Sequence, residues 1–108
     1  MRLQAYATRS HWTAQEKGFY DEEFTPTFAL AKMMLVVSEV AEAMEALRKE
    51  QGPAKIAEEM ADVFIRLADL YAALQENGYI DPDLDFDDAV NDKMVINAGR
   101  EQKHGNLA

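Results

Sequence analysis

Residues Ser38–Asp62 read SEVAEAMEALRKEQGPAKIAEEMAD, and this stretch decides the fold. Two Ala- and Glu-rich segments flank a Gly52-Pro53 break. Glycine beyond a helix end tolerates the left-handed exit conformation, and proline at the next start lacks only an amide that a first turn leaves unpaired. The two helices are therefore predicted to fold back antiparallel. Each carries acids three apart, Glu39 and Glu42 on the first, Glu59 and Asp62 on the second. Residues three apart share one face of a helix. At about 1.5 Å per residue, Glu42 and Asp62 both stand roughly 15 Å from the turn. All four carboxylates are thus predicted to face one another across the pair.

Their surroundings set these acids apart. Glu39 and Glu42 interrupt MMLVVSEVAEAMEAL, and Asp62 is followed by VFIRLADL. Like charges converging beside apolar surface disfavour one another unless something neutralises them. A hard divalent cation with oxygen ligands, Mg²⁺ or Mn²⁺, would do so for all four. The plainer reading is a set of solvated helical acids. Glu is a good helix former. Arg66 lies four residues after Asp62 and three before Asp69, and Lys49 lies four after Glu45, which are ordinary ion-pair spacings. Spacing alone leaves both readings open.

Working outward, Thr25-Pro26 offers a hydroxyl cap followed by proline at the first helical position. The first motif helix is predicted over 26–50 and the second over 53–76, the latter ended by Asn77-Gly78. Asp85 caps a last helix over 86–102, with Asp88 at the capping-box position. LQAYATRSHWTAQEK gives an N-terminal helix over 3–17, ended by Gly18. The fold class is all-α, a single domain over 1–108 with four or five helices. The polar stripe of helix 26–50 is Lys32, Glu39, Glu42 and Lys49, and its other faces are apolar. A helix apolar nearly all round has to be covered nearly all round, and 108 residues provide few helices to do it. This predicts a bundle completed by oligomerisation. On helix 53–76 the packing side is predicted as Ile56, Met60, Val63, Leu67, Leu70 and Leu74.

Two further groups are candidates for ligand contact. His11 and Trp12 stand on the N-terminal helix. Tryptophan is usually a packing residue, but its plane also stacks on a nucleobase, and a neighbouring imidazole can bond the base or sugar. Near the C-terminus Lys93, Asn97, Arg100 and His104 recur on one helical stripe, and Lys103 adds to it. In an acidic chain such a stripe offers donors and positive charge to a phosphate. It also suits the dipole of a helix C-terminus.

Composition narrows the function classes. A net charge of −9 argues against broad nucleic-acid binding. The absence of cysteine excludes a disulfide framework and a thiolate metal site, and fits a cytoplasmic protein. No apolar run approaches transmembrane length, and the N-terminus lacks a signal-peptide core, so no membrane partner is expected. No glycine-rich phosphate loop, nucleophile elbow or nucleophile–base triad appears, which disfavours covalent catalysis.

Glu39-x-x-Glu42, a spacer, then Glu59-x-x-Asp62 resembles the signature of the MazG-like all-α nucleoside triphosphate pyrophosphohydrolases. SEVAEAMEAL and AEEMADVFIRL are similar to that family beyond the four acids, as is the tail KMVINAGREQKHG. The likeness covers roughly residues 25 to 105. It implies a MazG-like helical bundle, a homodimer or homotetramer, that cleaves a (d)NTP to the monophosphate and pyrophosphate with Mg²⁺, or Mn²⁺ as substitute. Glu39, Glu42, Glu59 and Asp62 would hold the metal, with Glu39 or Glu42 as general base. Lys93, Asn97, Arg100 and Lys103 would hold the phosphates. His11 and Trp12 remain candidates for the base. House-cleaning of noncanonical nucleotides is a family expectation. Phosphoribosyl-ATP pyrophosphohydrolase and all-α dUTPase share the acid pattern. The rival of another class is a noncatalytic helical binding module, whose core acids would be paired with Arg or Lys.

Overall fold

The Gly52-Pro53 break does reverse the chain, but the helix before it ends earlier than the glycine suggests. In the computed structural model, which describes residues 1–100, the helices are α1 (Leu3–Glu16), α2 (Pro26–Arg48), α3 (Pro53–Glu76) and α4 (Phe86–Ala98). No strand occurs among the described residues. Glu50, not Gly52, takes the left-handed exit conformation, with φ 52°. The Gln51 amide then donates back to the Ala46 carbonyl and Glu50 to Leu47, closing the end of α2. Gly52 stands before proline, where the chain must be extended, and its φ of 100° with ψ of 160° is open to glycine alone. α2 begins as read, the Thr25 hydroxyl accepting from the Phe28 amide at 3.1 Å. α3 closes through Gly78, φ 80°. α4 ends at Ala98, short of the 102 read from sequence.

α3 is the spine, with α1 and α2 both packed along it and α4 against α1. The buried apolar residues are mostly alanine: Ala7, Ala14, Ala29, Ala43, Ala46, Ala68, Ala72 and Ala73, with Leu70 and Phe86. Alanine lets helix backbones approach closely, but each methyl buries little surface, worth only about 0.8 kcal/mol. The predicted packing side of α3 needs correction. Leu70 is buried, whereas Met60 and Leu67 are 58% and 45% exposed. The small residues Ala68 and Ala72 make the contact instead, because α1 crosses α3 on that side and packs Ala7 against them. α2 leaves Leu30, Met34, Val37, Met44 and Leu47 more than half exposed. Lys32, on its polar stripe, donates to the Phe19 carbonyl at 2.7 Å and lies 4.5 Å from the Tyr20 ring centroid.

α1 is fixed at two points. Its first amides, which have no partner within a helix, are capped from α4: Leu3 and Gln4 donate to the two oxygens of Asp87 at 2.8 and 3.0 Å. Gln4 returns the service, its side-chain oxygen accepting from the Phe86 amide at 2.8 Å. Burial works against the Asp87 charge, but these amides and Arg2 outweigh it and hold the carboxyl at about 2. Asp88 makes no capping-box bond among the described residues.

The second point is His11. Its ring is buried, with Nδ1 at 2.8 Å from Asp69 and Nε2 at 2.7 Å from Glu76, both on α3. Tyr20 stacks edge-on against it at 4.5 Å and donates its hydroxyl to the other Asp69 oxygen. Burial opposes charge on the imidazole, yet the two carboxylates outweigh it and raise the pKa. A raised folded value means that the folded state holds the proton more tightly than the unfolded chain. That contribution is complete below the ordinary value of 6.5 and is lost as pH rises through the folded value. The Tm difference between wild type and His11→Gln should therefore be widest near about pH 6 and shrink toward about pH 9. Thermal scans showing a constant difference across that range would mean that the buried ring is neutral.

Candidate metal centre and adjoining groove

α2 and α3 bring together three of the four motif carboxylates. One oxygen from each of Glu39, Glu42 and Glu59 lies within 4.8 Å of the others. The cluster grades from solvent inward: Glu42 exposed, Glu39 half-buried, Glu59 buried. The antiparallel hairpin explains the register, since Ala43 and Ala46 let α2 sit close against α3 beside these acids. Asp62 stands apart from the triad. It lines a groove alongside Glu39.

Basic residues reach two of the acids without covering them. Arg66 Nε donates to Glu39 Oε1 across the helices at 3.3 Å, in place of the within-helix pair with Asp62 or Asp69. Lys55 Nζ lies 3.0 Å from Glu59 Oε1. Glu59 Oε2 is buried and has no hydrogen-bond partner. A buried carboxylate oxygen left bare is unfavourable by about 1–3 kcal/mol or more, and such atoms call for an explanation such as an ion. Glu42 and Asp62 make no ion pair or side-chain hydrogen bond among the described residues. Three hard oxygen donors, one of them unsatisfied inside the protein, fit a divalent cation of the Mg²⁺ class. The pairing of Lys49 with Glu45, by contrast, is the ordinary surface contact its spacing suggested.

Of the triad, Glu39 also lines a groove of about 990 Å³ between α1 and α3. Glu39, Asp62, Arg66 and Asp69 line one side, and α1 contributes Tyr6, Arg9, Ser10, Thr13 and Lys17. Phe64 stacks edge-on against Tyr6 at 5.7 Å at one part of the wall, and Phe19 lies 5.9 Å from the Arg66 guanidinium at another. The groove side of α1 escaped the sequence reading. Its signal was present, since Arg9, Thr13 and Lys17 recur every four residues.

Other candidates stand elsewhere. His11 and Trp12 line a different depression, of about 630 Å³, with Gln4, Gln75 and Glu76. Both His11 nitrogens are already engaged there, and Trp12 is 62% exposed. Lys93 on α4 and Arg100 beyond its end are exposed and Asn97 is half-buried, and none of the three lines the groove beside Glu39. α4 meets α1 through its first turns, at Phe86 and Val90. Lys103 and His104 lie outside the described residues. No described helix is long and apolar enough to cross a membrane.

No curated protein and no solved structure shows significant similarity to the chain. The profile of the MazG nucleotide pyrophosphohydrolase domain matches residues 29–96. The match takes in α2 from Ala29 onward, α3, all four motif acids and Lys93, and leaves out α1, Asn97, Arg100 and Lys103. With an all-α hairpin that carries the acids and gathers three of them, the conclusion is direct: the chain belongs to the MazG nucleotide pyrophosphohydrolase family.

Proposed function

We propose that the chain, acting as one domain over 1–108, is a metal-dependent hydrolase that cleaves a (d)NTP to the monophosphate and pyrophosphate. The observation that carries this reading is the Glu39–Glu42–Glu59 triad with its bare, buried Glu59 Oε2. These three residues, with Asp62 at the groove edge, would hold Mg²⁺, or Mn²⁺ as substitute. When bound, such an ion supplies charge neutralisation on phosphate oxygens and a water more acidic than bulk.

The protein residues then divide the work. Glu59 anchors from inside. Arg66 holds Glu39 in place. Glu42 is exposed and free of any Arg or Lys among the described residues, which favours it over Glu39 as the group that takes a proton from the attacking water. The rest is positioning and electrostatics, as in phosphoryl transfer generally. The exposed apolar face of α2 supports a homodimer or homotetramer. If Lys93, Asn97, Arg100 and Lys103 touch phosphate, a second copy would have to bring them to the acids, since Lys93, Asn97 and Arg100 do not line the groove beside Glu39. Base contact by His11 or Trp12 would likewise have to come from outside the groove. All-α dUTPase and phosphoribosyl-ATP pyrophosphohydrolase activities differ from this reading only in the nucleotide.

The test is pyrophosphate release over the common and several damaged nucleoside triphosphates, with Mg²⁺ and with chelator. Turnover of at least one nucleotide that chelator abolishes is the expected result. Absence of turnover across the panel would favour a noncatalytic helical module.

A further inference from the structure

Resting on the reading above, we propose that Arg9 and Lys17 of α1 hold the phosphate tail of the nucleotide, and that the α1 face is the anion-binding wall of the catalytic groove. The argument begins with how this acidic chain uses its cations. Arg2 pairs with Asp85 and Asp87, Arg48 and Lys49 with Glu45, Lys55 with Glu58 and Glu59, and Arg66 with Glu39. Arg9, Lys17, Lys93 and Arg100 have no carboxylate partner and no side-chain hydrogen bond among the described residues, and of these four Arg9 and Lys17 line the groove beside Glu39. In a chain of net charge −9, carboxylates are not in short supply. Two cations left unpaired beside an acid cluster are placed for an anion that comes from outside.

Position supports this. Both residues line the groove that also holds Glu39 and Asp62. Lys17 caps the C-terminal end of α1 eight residues after Arg9, about 12 Å along the axis, and Thr13, midway between them, lines the same groove. Arg66 faces them from α3. Such a wall offers a guanidinium fork, an ammonium and a hydroxyl donor, the set that suits phosphate oxygens. A metal held by the triad alone would leave much of the charge of a triphosphate unmatched. Cations on α1 would match it from the opposite side.

The probe is inorganic pyrophosphate, the part common to every candidate substrate, titrated by calorimetry into the full-length protein with Mg²⁺. Binding to wild type is expected. Arg9→Gln and Lys17→Gln should each weaken it about 10- to 100-fold, the effect of removing one charge-assisted contact. Both residues are exposed and unpaired, so the variants are expected to keep the wild-type Tm. Lys49→Gln, at a surface pair with Glu45 outside the groove, is the comparison, and should change pyrophosphate binding less than about threefold. In turnover, the two α1 variants should raise KM for any nucleotide the wild type cleaves. Pyrophosphate binding within twofold of wild type in both α1 variants, or no binding to wild type, would overturn the proposal. Loss weighted to Lys93→Gln would overturn it in favour of α4. If wild type binds pyrophosphate through Arg9 and Lys17 yet turns over no nucleotide, the anion wall stands and the enzymatic reading falls.

Discussion

Glu59→Gln is expected to lower pyrophosphohydrolase activity by about 100-fold or more while leaving the metal-free protein as stable as wild type, or more so. The two effects have one cause. Glu59 is buried beside Glu39 and Glu42, and its Oε2 has no partner. Without a cation, three carboxylates share a space less than 5 Å across. The amide keeps the shape, removes one of the charges and adds an N–H able to donate to a neighbouring carboxylate. Removing a metal ligand should cost more than the 10- to 100-fold typical of its supporting residues. The same variant tests the ion without reference to turnover. Mg²⁺ at about a hundredfold excess over Kd should stabilise wild type by about 2.7 kcal/mol. For a domain of this size that is a Tm rise on the order of 10 °C. Glu59→Gln should show little of that rise, and an undiminished Mg²⁺ shift would remove Glu59 from the ligand set.

The second large effect concerns assembly. Val37 and Met44 stand seven residues apart on one face of α2, 54% and 65% exposed, in line with Leu30 and Leu47. No side chain in the described core is both large and fully buried. A lone protomer would thus expose more large apolar side chains than it buries. Wild type is expected to be a dimer or tetramer at micromolar concentration. The double variant Val37→Glu, Met44→Glu would place an unpaired charge at two points of the covered face, each worth about 3–5 kcal/mol if desolvated. It should dissociate to monomers and lose most of its activity. Light scattering that shows a monomeric wild type would end this line of argument.

The hairpin was legible because its signals are local. Thr25-Pro26, Gly52-Pro53 and Asn77-Gly78 each act through the backbone of a few neighbours, and the i, i+3 acids share a face by helix geometry alone. What was missed depends on distant partners. Met60 and Leu67 have the periodicity of core residues, but periodicity does not distinguish a face covered by the same chain from one left for another copy. Arg66 has two acids at helical spacing and pairs with neither, because Glu39 on α2 is presented to it across the helices. His11 gave no sign of its place, since Asp69 is 58 residues away. The fourth acid, Asp62, shares a helix face with Glu59 yet falls outside the triad and lines the groove beside Glu39.

The mutual capping of α1 and α4 has a consequence for the order in which the molecule assembles. The first amides of α1 find their acceptor at Asp87, and the first amide of α4 finds its own at Gln4, across sequence separations of 82 to 84 residues. A chain emerging N-terminus first therefore holds an α1 with unpaired leading amides until α4 has emerged. The α2–α3 hairpin needs only a short turn to close, and short loops close at lower entropic cost than long ones. The acid cluster lies within that local unit, whereas the α1 side of the groove is tied in by contacts that span most of the chain.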